Sequence, residues 1–255
     1  MAGDQIPSRR AFLAVGGLLL AGCRSVTQRV AGSSPTPTTT SPSAAPASRA
    51  TAPGVPVVVR HGATGRPEVA LTFHGSGDPA LAERALVAAE SSGAAVTIFA
   101  VGTWLRTNPT MAARILRGGH ALGNHTYTHP TLHRLTPTAI GEEVARCAEL
   151  LRRQIGTVGC AFRPSGGPSV TEPMVSAAAR SGYAFVVGYD VDPEDNTDPG
   201  AAAVAQRVLA GVRAGSIVSL HLGHSGTVDA LPRILAGLAS RGLRAVTVPA
   251  LLAPA

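Results

Sequence analysis

Residues 57–255 predict an α/β domain built on a parallel sheet, and two observations carry that expectation. From Val57 onward, short apolar runs alternate with helical patterns. That order places parallel strands under a cover of helices, in a sheet either open or closed into a barrel. The reactive side chains also fall where such folds gather their active sites, at the ends of the strands. His74, Arg163 and His221 each end an apolar run, and Asp190 and Asp192 follow another.

The predicted strands are residues 69–73, 95–101, 160–163, 184–187, 216–221 and 245–248. Each is largely apolar and is bounded by Gly, Pro or polar residues. Helix starts lie between them. Asp78-Pro79 and Thr136-Pro137 pair an N-cap with proline at the first helical position, and Asn108-Pro109 and Thr171-Glu172 also read as starts. Ile140, Val144, Cys147 and Leu151 then share one face of the second helix. Gly93, Gly118, Gly182 and Gly242 stand where helices should stop.

The chain ahead of this domain has a different character. Ser8-Arg9-Arg10 leads into an apolar run over residues 11–21 that is too short to span a bilayer, so residues 1–22 read as a twin-arginine signal peptide. Leu20-Ala21-Gly22-Cys23 resembles a bacterial lipobox, with Cys23 as the lipidated first residue of the mature protein. Residues 23–56 become rich in Ser, Thr, Pro and Ala, a composition that buries too little to offset its ordering entropy. The expected product is an exported, monomeric domain, tethered by lipid to the outer face of the cytoplasmic membrane.

The formal charge of +7 comes from arginine alone, since the chain has no lysine. No arginine cluster is interleaved with aromatics, which argues against a nucleic-acid partner. Cys147 and Cys160 are open to a disulfide after export, or to burial as free thiols. Trp104, the only tryptophan, suits either a sugar-stacking platform or core packing. His61, His120 and His133 carry no motif and read as surface residues, and His224 as a loop residue near the cleft.

Asn124-His125-Thr126-Tyr127-Thr128-His129 carries the strongest chemical signal. Two imidazoles four residues apart, on one face of a helical turn, can grip a single divalent metal, with zinc the best match.

With its partners, this stretch resembles the metal motif of the polysaccharide deacetylases of the NodB-homology type, carbohydrate esterase family 4. The resemblance spans residues 66–250. Phe162-Arg163-Pro164-Ser165-Gly166 is similar to the family's arginine-proline motif. Asp192-Pro193-Glu194-Asp195 is similar to its Asp-x-x-Asp motif, with Asn196 in place of the usual tryptophan. Ile217-Val218-Ser219-Leu220-His221 is similar to the last motif.

The resemblance implies a distorted (β/α) barrel of the NodB-homology, glycoside hydrolase/deacetylase type. It also implies metal-dependent deacetylation of an acetylated cell-envelope polysaccharide. His221 would be the general acid, with Asp192 or Asp195 behind it, and Arg163 would orient the base. The alternative is a protein of this fold that binds glycan without turning it over.

The first motif departs from the family. Where the family has Thr-Phe-Asp-Asp-Gly-Pro, with one Asp as base and the next as metal ligand, this chain has Thr72-Phe73-His74-Gly75-Ser76-Gly77-Asp78-Pro79. Two repairs are open. His74 completes a three-histidine metal site with His125 and His129, or the glycine-rich loop delivers Asp78 as third ligand and leaves His74 as base. Arg163 then needs a new carboxylate partner, with Asp78, Asp192 and Asp195 as candidates.

Overall fold

Seven parallel strands and eight helices alternate through the computed structural model, which describes residues 54–254. The expected signal peptide, Cys23 and the expected tether as far as residue 53 lie outside the described residues. Among the described residues, no helix is long and apolar enough to cross a membrane.

The strands are β1 Val57–Val59, β2 Glu68–Gly75, β3 Thr97–Ala100, β4 Ala121–Asn124, β5 Phe185–Val187, β6 Ile217–His221 and β7 Arg244–Ala245. The helices are α1 Pro79–Ser91, α2 Gly102–Thr107, α3 Met111–Arg117, α4 Pro137–Ile155, α5 Glu172–Ser181, α6 Ala201–Gly211, α7 Ser225–Ser240 and α8 Val248–Leu252.

Strand pairing runs β4-β3-β2-β6, with β7 beside β2 and β1 beside β5. Single-residue bridges close the ring: Asn124 to Phe162, Phe162 to Val186, and Val191 to Val218. The result is a distorted (β/α) barrel. β2 is its central strand, and seven of its eight residues are buried, as a strand covered on both faces requires. Val69, Leu71 and Phe73 pack under α1 and α7 together with Ile98, Leu86 and Leu231. Phe162 and Val186 pack with Ile140, Val144 and Met174 of α4 and α5.

The expected caps form. Asp78 accepts a hydrogen bond from the Ala80 amide (2.8 Å), and Thr136 from that of Ala139 (3.3 Å). Gly156 and Gly182 end α4 and α5 in the left-handed conformation that glycine adopts without strain.

Some expected elements change. The run at 160–163 contributes only Phe162 to the sheet, through single-residue bridges. The third helix begins at Met111, with Thr110 as its cap, rather than at Pro109. The last run stops at Ala245, because Thr247 caps α8 and turns the chain into a helix. Cys147 and Cys160 are both free, and burial pushes each thiol up to about 12.

Candidate metal and active site

Strand register gathers the reactive residues at one mouth of the barrel. His74 and His221 are directly opposed across β2 and β6. Gly75, Ala100 and Asn124 stand in line across β2, β3 and β4, so His125 enters the same mouth immediately after β4. The His74 ring centroid lies 4.3 Å from that of His125 and 4.3 Å from that of His221.

One nitrogen from each of His74, His125 and His129 lies within 4.8 Å of the others, a group able to hold a metal ion. His125 Nε2 and His129 Nε2 are 3.1 Å apart. His125 donates its Nδ1 proton to the Arg163 carbonyl (2.9 Å), which leaves Nε2 with a lone pair for a ligand bond. Burial lowers the pKa of all three histidines, strongly for His74 and His125, and neighbouring imidazoles add to the effect. Neutral imidazoles are the form that binds metal. The donor set therefore fits a divalent transition-metal ion.

The His-x3-His pair does not sit on a helical turn. Residues 125–129 form a loop, in which Thr126 and His129 adopt positive φ of 68° and 61°. Asn124, at the head of the stretch, and Glu143, which carries no motif, hold this loop. Asn124 accepts from the Thr126 amide and donates to Val144 O and Tyr183 Oη. Glu143, on α4, accepts from the amides of Tyr127 (2.9 Å) and Thr128 (2.8 Å) and from the Thr128 hydroxyl. Backbone strain at functional loops persists where such contacts over-determine it.

On the other side, Asp195 supports His221. Its Oδ1 accepts from His221 Nδ1 (2.7 Å), and its Oδ2 accepts from the His221 amide (2.8 Å) and from Thr227 Oγ1 (2.6 Å). Burial opposes ionisation of Asp195, but the hydrogen bonds from His221 and Thr227 more than offset this and hold its carboxyl below the usual value. A carboxylate only accepts, so His221 carries its proton on Nδ1 and presents Nε2 to the cleft.

Three expectations are corrected. Asp78 is exposed, is engaged as the α1 cap, and stands outside the histidine group. A capping side chain at a helix start points along its own backbone, and the loop before it does not bend back far enough. Asp192 is exposed and accepts from the Glu194 amide, so Asp195 alone supports His221. Arg163 finds no carboxylate. Its guanidinium is 1% exposed and donates to Thr72 Oγ1, Val187 O and Gly188 O, over the Phe99 ring. Burial pushes it down to about 9, which leaves it charged at neutral pH.

The remaining candidates also settle. Trp104 is buried and donates from its indole N–H to Gly77 O (2.9 Å), pinning α2 to the first-motif loop. His120 is a core residue whose Nδ1 accepts from the Val96 amide. His133 is exposed, as expected.

Comparison with known proteins agrees with this geometry. The family model for polysaccharide deacetylase matches residues 61–186. A peptidoglycan-N-acetylglucosamine deacetylase of Bacillus cereus is 30% identical over 188 residues, covering 72% of this chain and 87% of that protein. The solved structure of the peptidoglycan N-acetylglucosamine deacetylase Bc1960 superposes with a TM-score of 0.71 at 28% identity, over 76% of this chain and 92% of that one. BA3943, a CE4 family pseudoenzyme from Bacillus anthracis, shares the fold with a TM-score of 0.73 at 24% identity, over 78% of this chain and 69% of that one. The chain is a member of the polysaccharide deacetylase family, of the CE4, NodB-homology type.

Proposed function

We propose that this protein removes acetyl groups from the N-acetylated sugars of a cell-envelope polysaccharide, using a metal held by His74, His125 and His129. The observation that carries the proposal is the juxtaposition of the three-histidine group with a carboxylate-supported His221. When bound, zinc supplies polarisation of the acetyl carbonyl and acidification of a water molecule.

The chain's own groups supply the rest. With His74 among the ligands, the base position has no carboxylate. Nε2 of His221 is then the atom that takes a proton from water and returns it to the departing amine. Asp195 fixes the tautomer that makes this possible and stabilises the imidazolium once formed. Water adds to the acetyl carbon, the C–N bond breaks, and acetate and a free amino sugar leave. The tether and the Cys23 lipid would hold this monomeric domain at the outer face of the cytoplasmic membrane, within reach of the wall.

The test is metal content together with acetate release from N-acetylated peptidoglycan. We expect close to one zinc per chain, with activity removed by a chelator and restored by zinc. His125→Ala should lose both the metal and the activity. A metal-replete preparation that binds no metal would sink the catalytic reading.

One observation favours a second reading, glycan binding without turnover. Arg163 is buried beside a base position that has lost its carboxylate. Tight glycan binding with bound metal and no acetate release would select that reading.

A further inference from the structure

The loop after β6 and the loop before α6 meet beside the catalytic centre and line an open cavity. Its volume is about 500 Å3, and its walls are Asp198, Gly200, Gly223, His224, Ser225 and Gly226. That size falls within the range of small-molecule sites. The His224 ring stands edge-on to that of His221, with centroids 5.8 Å apart, so the cavity adjoins the catalytic histidine.

Two polar groups in this wall form a dyad. His224 Nδ1 lies 2.7 Å from Asp198 Oδ1. The carboxylate can only accept, so the proton is on Nδ1 and His224 Nε2 carries a lone pair. The His224 side chain is 28% exposed and that of Asp198 69% exposed. A pair so open to solvent adds little to stability, but it leaves an oriented acceptor beside the cleft.

The loop that carries His224 also touches the rewritten first motif, through Gly223. A Cβ on Gly77 would come 2.5 Å from Gly223 Cα, so the two loops meet glycine to glycine. His224 and the Gly75-Ser76-Gly77 stretch, where the first motif departs from the family, therefore belong to one corner of the site.

We propose that the His224–Asp198 dyad is a glycan subsite. In it, His224 Nε2 accepts a hydrogen bond from a hydroxyl of the sugar next to the one that is deacetylated. Asp198 fixes the tautomer and orientation of His224, which makes His224 a binding residue and Asp198 a positioning one. The inference rests on the deacetylase reading for its substrate class, and binding measurements separate the two.

The experiment uses the full chain and an N-acetylglucosamine tetrasaccharide, with calorimetry for Kd and acetate release for kcat and KM. One lost hydrogen bond of this kind corresponds to roughly a tenfold change in affinity. His224→Ala should therefore raise Kd and KM for the tetrasaccharide about tenfold, with the loss carried far more in KM than in kcat. N-acetylglucosamine itself has no neighbouring sugar and should bind both proteins alike. His224→Gln keeps an acceptor and should recover most of the affinity, and Asp198→Asn should fall between.

An unchanged Kd in a folded His224→Ala protein, with acetate still released, overturns the subsite and leaves the deacetylase reading intact. A tenfold weaker Kd with no acetate released by either protein supports the subsite and sinks the deacetylase reading. Failure of the parent protein to bind the tetrasaccharide overturns the subsite.

Discussion

On the β6 side of the cleft, the buried Asp195 receives three hydrogen bonds, two of them from the histidine it serves. On the β2 side, the equally buried Arg163 has a hydroxyl, two carbonyls and the rings of Phe99 and Tyr189 around it. Both are charges withdrawn from water, which costs several kcal/mol per ion unless partners replace the lost hydration. The acid side meets that cost with a complete set of donors. On the metal side the anion is gone, the cation remains, and neutral imidazoles fill the space. Positions that the family divides between carboxylates and histidines are here held mainly by histidines. This lowers the site's negative charge, and among the described residues Asp195 is the only carboxylate bonded to His221.

The strongest test of that asymmetry removes the carboxylate from the intact side. Asp195→Asn keeps the shape but offers an amide where the tautomer of His221 is set. In a histidine–carboxylate pair, such a change costs on the order of 10³- to 10⁴-fold in kcat. We expect a loss of that size in acetate release, with zinc content unchanged. An effect under tenfold would show that His221 does not depend on Asp195.

The same variant has a signature in stability. The folded carboxyl titrates below its unfolded value. Its contribution is present above pH of roughly 4 and is lost as pH falls through the lower, folded value. The parent should lose this increment on acidification, and Asp195→Asn should not, as read by melting temperature from neutral pH to pH of about 3.

A second test tries to restore the family pattern on the divergent side. His74→Asp/Gly75→Asp returns both carboxylates to the sequence, but the fold has closed the space. A Cβ on Gly75 would come 2.8 Å from Ile98 Cγ2 and 3.0 Å from Ala100 Cα. The second contact is backbone on the neighbouring strand, so β3 itself must shift. Overpacking of this kind costs on the order of 1–3 kcal/mol. We expect a less stable protein with no gain in acetate release, while His74→Ala alone loses metal because one of three ligands is gone. A double variant as stable as its parent and more active would mean that the three-histidine arrangement is not the working site.

These contrasts mark what could be read from residues alone. The barrel was legible because alternation of apolar runs and caps is local, and Asp78-Pro79 and Thr136-Pro137 start helices where expected. The convergence of His74 and His221 was legible too, since both lie at the C-terminal ends of strands that proved to be neighbours, His74 one residue from the end of its own. Three-dimensional packing decided the rest. Strand β4 contains Gly123 and only four residues, too few for periodicity to register. The His125–His129 loop depends on Glu143, which lies 16 residues from Tyr127 on a helix and carries no motif. Asp192 and Asp195 are equivalent as letters in Asp-x-x-Asp, but one is exposed and the other buried. His120 reads as a surface residue because nothing beside it in sequence reveals the core it enters.

The smallest effect tests the residue on which the two repairs of the first motif diverge. Asp78 has the chemistry of a ligand and the position of a cap, and its carboxylate accepts from the Ala80 amide at the start of α1. Removing an N-cap of this type costs about 1 kcal/mol. In a domain of this size that corresponds to a melting temperature lower by roughly 2–4 °C. Asp78→Ala should show that shift with zinc content and acetate release unchanged, whereas loss of a metal ligand would lower both sharply. Asp78→Ser retains a capping oxygen and should recover the melting temperature. If Asp78→Ala sheds metal while Asp78→Ser keeps stability but not metal, the first-motif loop must fold back onto His125 and His129 in solution. The divergent side of the cleft would then resemble its family more closely than the three-histidine arrangement does.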